Sequence, residues 1–250
     1  MDECCDKKHI RSDVLNIALP VLVELFLGSL FGMVDMMMLG RITNSKIAAA
    51  SIAAVGITNQ PLFIGLSLVQ ALNVGGTAMV ARYIGAKRND RIESVVKHVI
   101  LLNLVMLVLP LFIIGIFFTE DIMSLLGAQQ DAILVGKNYF KVIMVGFIFQ
   151  AFNLSIAAVL RGTGNTKTPM KINLRVNLLN VFGNAVLIYG LLGFPKLGVV
   201  GAGISTCISH IVASVFLARH ILKKDDLIKV NLKNPFVYDK NIIYNLIKIG

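Results

Sequence analysis

The stretch from Asp13 to Gly40, DVLNIALPVLVELFLGSLFGMVDMMMLG, restricts the fold more than any other part of the chain. As a helix rising about 1.5 Å per residue it crosses the roughly 30 Å hydrocarbon core of a bilayer. Lipid offers no partners to backbone N–H and C=O groups, so such a run folds as a helix rather than as open strands or loops. Three residues set it apart from a plain anchor: Pro20, Glu24 and Asp35. The two carboxylates are 11 residues apart, about three helical turns, and project from one side. An acid inside a membrane helix is costly unless it pairs, protonates or meets water. Two on one face predict a helix that looks into a polar cavity, as a transport pathway requires.

Of the 250 residues only 15% are charged, against roughly 25% in soluble domains, which makes the chain an all-α integral membrane protein. The formal charge of +10 resides in short loops between apolar spans, a pattern of membrane topology and not of a nucleic-acid surface. Cys4, Cys5 and Cys207 offer neither a disulfide framework nor zinc spacing. The chain divides into a polar tail (1–12), a six-helix transmembrane bundle (13–222) and a basic linker (223–250). The predicted spans are Asp13–Gly40, Ile47–Val80, Val99–Phe118, Leu134–Leu160, Ile172–Leu192 and Val199–Leu222, with a short surface helix after the third. Of the 24 Lys and Arg residues, 19 fall on the side of the N-terminus and five on the other. The positive-inside rule then places the N-terminus in the cytoplasm and the chain in the cell membrane, multi-pass. NIIYNLIKIG at the end echoes DVLNIALP at the start. It predicts the lead-in to a seventh helix, the alternative being an amphipathic helix on the inner leaflet.

Inside the spans the polar residues follow helical periods. Asn173, Asn177, Asn180 and Asn184 share one face of the fifth span. Amides in lipid need partners, so this stripe either glues helices together or walls a cavity. Thr206 and His210 share a face of the sixth span, and Gln60 and Asn153 add amides to the second and fourth. Glycines from Gly190 to Gly203 are expected to serve close helix packing. The sequence has no HExxH, no GxSxG and no other metal-ligand or nucleophile pattern, so an enzyme is not expected.

Four segments resemble those of multidrug and toxic-compound extrusion (MATE) transporters. ALPVLVE…GMVDMMMLGRI is similar to the family's opening helix, and ARYIGAKRND to its "AQ-x-x-GAGN" loop. VLRGTGNTKTPM resembles "LRGLGDTKTPM", and LGVVGAGISTCIS resembles "GVAGAAIAT-x-I-S", all in the family's order from Ser12 to Gly250. The resemblance implies twelve helices in two six-helix lobes around a central cavity, of which this chain carries the amino-terminal lobe and the start of helix 7. It implies a cation-coupled antiporter, driven by H+ or Na+, that exports cationic or amphipathic organic compounds and needs a second six-helix lobe as partner. Asp35 corresponds to the family's acid in helix 1, linked to bending at Pro20, and Asn180 and Thr206 to polar groups of its cation site. Asn184 stands where an acid is often found, which weakens a sodium site at Asp35 and favours a proton. Asp35, Asn180, Asn184 and Thr206 are thus the expected ion-coupling residues. Glu24, Gln60, Asn153, Asn177 and His210 are the expected cavity residues. The alternatives are a flippase for lipid-linked precursors, which would need cations in the cavity, and a non-transporting scaffold or fragment.

Overall fold

The computed structural model describes residues 2–42, 44–222 and 236–250, and the linker residues 223–235 lie outside the described residues. The first span is α1, Asp2–Gly40, which passes Pro20 without a break and runs back through the polar N-terminal residues. α2, Ser45–Gly85, starts where Asn44 Oδ1 accepts from the N–H groups of Lys46 (3.1 Å) and Ile47 (3.3 Å), satisfying donors that the first turn leaves open. The third span comprises α3 (Ile92–Leu102), a π-helical stretch (Asn103–Val108) and α4 (Leu109–Phe117). The wide turn comes just before Pro110, where the ring cannot donate to a regular ladder. α5 (Thr119–Leu125) is the short connecting helix. α6 (Gln130–Gly162), α7 (Lys167–Tyr189) and α8 (Val199–Leu222) are the remaining spans, and α9 (Lys240–Ile249) follows.

Five of these segments are long and apolar enough to cross a membrane. The sixth is α7, which matches them in length, about 34 Å at 1.5 Å per residue, but carries the asparagine stripe together with Lys171 and Arg175. α2 and the third span extend beyond their apolar runs because Arg82, Glu93 and Lys97 continue the helix past the hydrocarbon.

α2, α6 and α8 pack as the centre of the bundle; α7 lies against α8, and α1 against α7. One apolar core gathers around Leu39, Phe140 and Phe147, and a second around Val95, Val99, Ile156 and Leu217. Between α2, α6 and the π-helical stretch lies a buried polar knot. Asn103 Nδ2 donates to Asn73 Oδ1 (2.8 Å) and to Ser155 Oγ (2.9 Å), fixing the three elements in one register. α9 buries Ile242 and Leu246 against this second core, so the amphipathic end of the chain packs on protein.

The glycines divide by role. Gly201 meets the Leu187 carbonyl so closely that an added Cβ would lie 2.6 Å from that oxygen, and Gly183 faces Ser205 in the same interface. Gly203 likewise faces Tyr139 of α6. Gly190, Gly193 and Gly198, in contrast to the packing role expected of them, form turns with φ of 72°, 82° and 57°, a region that favours residues without Cβ.

Candidate ion and substrate site

α1 and α7 run parallel, and their polar faces form a ladder of constant offset. At one rung Asn173 Nδ2 donates to Glu24 Oε1 at 2.6 Å. Three turns on, Asn184 Nδ2 donates to Asp35 Oδ1 at 2.7 Å. Both rungs join residues 149 apart in sequence, so the 11-residue spacing of the carboxylates on α1 is matched by that of the asparagines on α7. Beyond the second rung Tyr189 Oη donates to the Met38 carbonyl at 2.7 Å, closing the end of the pair.

The Asp35 rung is built only from neutral groups. Asn184 is fully buried and Asn180 nearly so. Which end of the Asn180 amide faces Asp35 depends on what the carboxyl presents. With its oxygen toward Thr206, Asn180 Nδ2 donates to both Asp35 oxygens (3.2 and 3.3 Å) and Oδ1 accepts from Thr206 N (3.1 Å) and Oγ1 (3.2 Å). In the opposite orientation Nδ2 donates to Ser205 Oγ (3.3 Å) and Thr206 Oγ1 (3.2 Å), leaving the amide oxygen toward Asp35. The first arrangement suits a carboxylate, which only accepts; the second suits a carboxylic acid, which donates. No Lys or Arg lies within ion-pair distance of Asp35 among the described residues. Asn184 Oδ1 is buried without a hydrogen-bond partner.

Asp35 opens on a cavity of about 230 Å³ between α1, α2, α6 and α8, whose other polar walls are Asn59, Tyr139, Gln150, Thr206 and His210. Met36 adds a pliant apolar surface.

The fold brings Asp35, Asn180, Asn184 and Thr206 together, and His210 lines the cavity beside Asp35. Four others lie elsewhere. Glu24 accepts from Arg161 Nη2 at 3.2 Å, an ion pair that ties α1 to the end of α6 and keeps it off the cavity wall. Gln60 is exposed while its neighbour Asn59 lines the cavity, since one residue along a helix turns the side chain by about 100°. Asn153 is a strut, donating to the His210 carbonyl (3.0 Å) and accepting from Ser214 Oγ (2.7 Å). Asn177 is half-buried on the ladder face and makes no hydrogen bond among the described residues.

Arg161 makes its ion pair from the last turn of α6, just ahead of the glycine-rich turn. Gly164 takes φ 83°, and Asn165 Oδ1 accepts from Thr168 N–H at 3.1 Å, launching α7 toward α1. Tyr139 and Gln150 complete the cavity; Gln150 is one of the two amides of the fourth span, with Asn153, whereas Tyr139 carries no periodic signal in the sequence.

Residues 20–186 match the family model MatE. The chain belongs to the MatE family. NorM of Thermotoga maritima, named a probable multidrug resistance protein, is 31% identical over 87% of this chain and 46% of its own length. YoeA of Bacillus subtilis, named likewise, is 30% identical over 89% of this chain and 45% of its own length. A crystal structure of MATE in the bent conformation superposes with a TM-score of 0.83 at 25% identity, over 96% of this chain and 51% of that one. The chain spans about half the length of the curated relatives it matches. Members of the MatE family are membrane transporters and not enzymes, and the six-helix bundle here corresponds to the amino-terminal half of such a transporter.

Proposed function

We propose that this chain forms the amino-terminal lobe of a two-lobe drug exporter, in which proton uptake by Asp35 is coupled to the outward movement of cationic or amphipathic organic compounds. The observation that carries the proposal is an acid inside a membrane span that faces a cavity and is held by amides alone. A charge in that position is expensive, and no cation offsets it among the described residues. A proton removes the charge, and a cationic substrate compensates it. The two therefore compete for one carboxyl, which is the condition for antiport.

Asn180 carries the Asp35 rung to α8: with Nδ2 donating to Asp35, its Oδ1 accepts from Thr206 N and Oγ1, so a change at Asp35 reaches α8 as well as α7. Pro20 leaves the Asn16 carbonyl of α1 without its helical N–H and is the hinge at which α1 bends when the Asp35 rung changes. A sodium ion would draw on one carboxylate and the oxygens of Asn180, Asn184 and Thr206. With Asn184 Nδ2 already donating to Asp35 at 2.7 Å, a proton needs less rearrangement. The second lobe supplies the facing wall, and the Lys/Arg distribution orients the N-terminus toward the cytoplasm of the cell membrane. The cavity lining contains no Lys or Arg, which disfavours a flippase for phosphate-bearing lipids.

The experiment is gradient-driven efflux of a fluorescent organic cation from proteoliposomes that contain the whole transporter. Asp35→Asn is expected to lower efflux at least tenfold without loss of expression, and a pH gradient is expected to drive efflux where a sodium gradient does not. Unchanged efflux in Asp35→Asn removes Asp35 from the mechanism; efflux driven by sodium alone overturns the choice of proton.

A further inference from the structure

A second cavity, of about 500 Å³, lies on the side of α7 away from α1, between the first turns of α7 and the last turns of α8. Its walls include Thr168, Lys171 and Arg175 from α7, and Phe216, Arg219 and His220 from α8. Lys171 and Arg175 are one turn apart on the same face, where like charges repel. They belong to the side of the bundle on which 19 of the 24 Lys and Arg residues lie, as does Arg219 in the last turn of α8. Lys171, Arg175 and Arg219 make no ion pair with any carboxylate among the described residues. Three cations from two helices thus converge on one cavity with no carboxylate paired to them among the described residues.

We propose that this cavity binds a phosphate group, supplied by the headgroup of an anionic phospholipid. Two guanidinium groups offer paired N–H donors that match phosphate oxygens, and Lys171 adds a point charge. Thr168 contributes a hydroxyl. Phe216, 48% exposed beside the cavity, provides an apolar surface for the lipid's glycerol and first methylenes. Arg175 lies eight residues into α7, about 12 Å from the helix start, a depth from which long basic side chains reach headgroups. Basic pockets between membrane helices hold anionic headgroups for these reasons. The site is separate from the Asp35 cavity, since Asn173 on the opposite face of α7 bonds Glu24, and the proposal does not depend on the transported substrate.

The test is native mass spectrometry of the protein released from micelles that contain equimolar phosphatidylglycerol and phosphatidylethanolamine, with and without millimolar inorganic phosphate. The protein is expected to retain one phosphatidylglycerol with at least fivefold preference. The combined change Lys171→Gln, Arg175→Gln and Arg219→Gln is expected to abolish the preference. The combined change Lys46→Gln, Lys87→Gln and Lys196→Gln, at exposed positions, is expected to leave it intact. Displacement of the lipid by inorganic phosphate supports the phosphate site with a soluble source, and resistance to it supports the lipid source. If the triple variant does not fold, Arg175→Gln and Arg219→Gln singly are each expected to reduce the preference at least threefold. Preference unchanged in all folded variants, or neither lipid preference nor phosphate binding in the unaltered protein, overturns the proposal.

Discussion

Glu24 and Asp35 share a face of α1, but their partners divide their roles. Asp35 is surrounded by amides and cavity, whereas Glu24 has a guanidinium at 3.2 Å and an amide at 2.6 Å. Glu24 therefore fastens α1 to α6 and α7 through its ion pair and amide bond, whereas Asp35 has no cation beside it among the described residues. Removing one partner of such a pair leaves the other uncompensated, at about 3–5 kcal/mol when both are fully buried. The side chain of Arg161 is 28% exposed and that of Glu24 12%, so water and headgroups relieve part of the cost and roughly 2 kcal/mol is the reasonable figure. Glu24→Gln is accordingly expected to lower the thermal midpoint in detergent, and the same change made together with Arg161→Leu is expected to lower it less. A double variant no more stable than Glu24→Gln alone would show that the ion pair is not what ties α1 down.

At the scale of elements, α7 and α8 position the Asp35 rung through close contacts onto the backbone of α7. Gly201 lies under the Leu187 carbonyl, and Ser205 Oγ donates to the Asn180 carbonyl at 2.9 Å. A side chain at position 201 has no flexible neighbour to displace, because the atom it meets is backbone. Gly201→Val is expected to push the two helices apart at a cost of roughly 1–3 kcal/mol, moving Asn180 and Asn184 away from Asp35. Efflux is expected to fall while the protein still reaches the membrane. Gly28 and Gly56 have nothing within 4 Å of an added Cβ, so Gly28→Ala and Gly56→Ala should retain full efflux and gain a few tenths of a kcal/mol from helix propensity. Equal losses at 28, 56 and 201 would refute a specific role for the α7–α8 contact. Much of this arrangement was legible in the sequence, because a helical period states which residues share a face. The asparagine stripe and the paired carboxylates both came from spacing alone. A period says nothing of what the face will meet: Arg161 closes the Glu24 pair from the end of another helix, and Asn73, Asn103 and Ser155 are single residues on three helices. Gln60 was misplaced by one position because the second span carries adjacent amides, Asn59 and Gln60, and only packing decides which turns inward. Helix ends beyond the apolar runs were also hidden, since hydropathy marks the hydrocarbon and not the helix.

For the molecule as a whole, the decisive question is how α9 is held on the bundle. His98, buried in α3, forms the anchor. Its Nδ1–H donates to the Ser94 carbonyl at 2.7 Å, which leaves Nε2 as an acceptor, and Nε2 receives the Asp239 N–H at 3.0 Å. The imidazole also packs at a tilt against Phe236, with ring centroids 4.7 Å apart. Asp239 in turn accepts from Arg91 Nη1 at 3.4 Å and from the Asn241 N–H at 2.9 Å, the second bond starting α9. One buried ring thus sets both the position and the first turn of α9. His98→Phe keeps the packing surface but leaves the Asp239 N–H without an acceptor, at about 1–3 kcal/mol for a buried donor. Local opening of α9 becomes easier by that amount, so amide exchange across residues 236–249 is expected to quicken by roughly five- to a hundredfold, with exchange in α6 unchanged. If α9 exchanged at the original rate, the apolar contacts of Ile242 and Leu246 with α2 and α3 would hold it by themselves. If α6 quickened in step, His98 would be a part of the bundle's core and not a latch for α9.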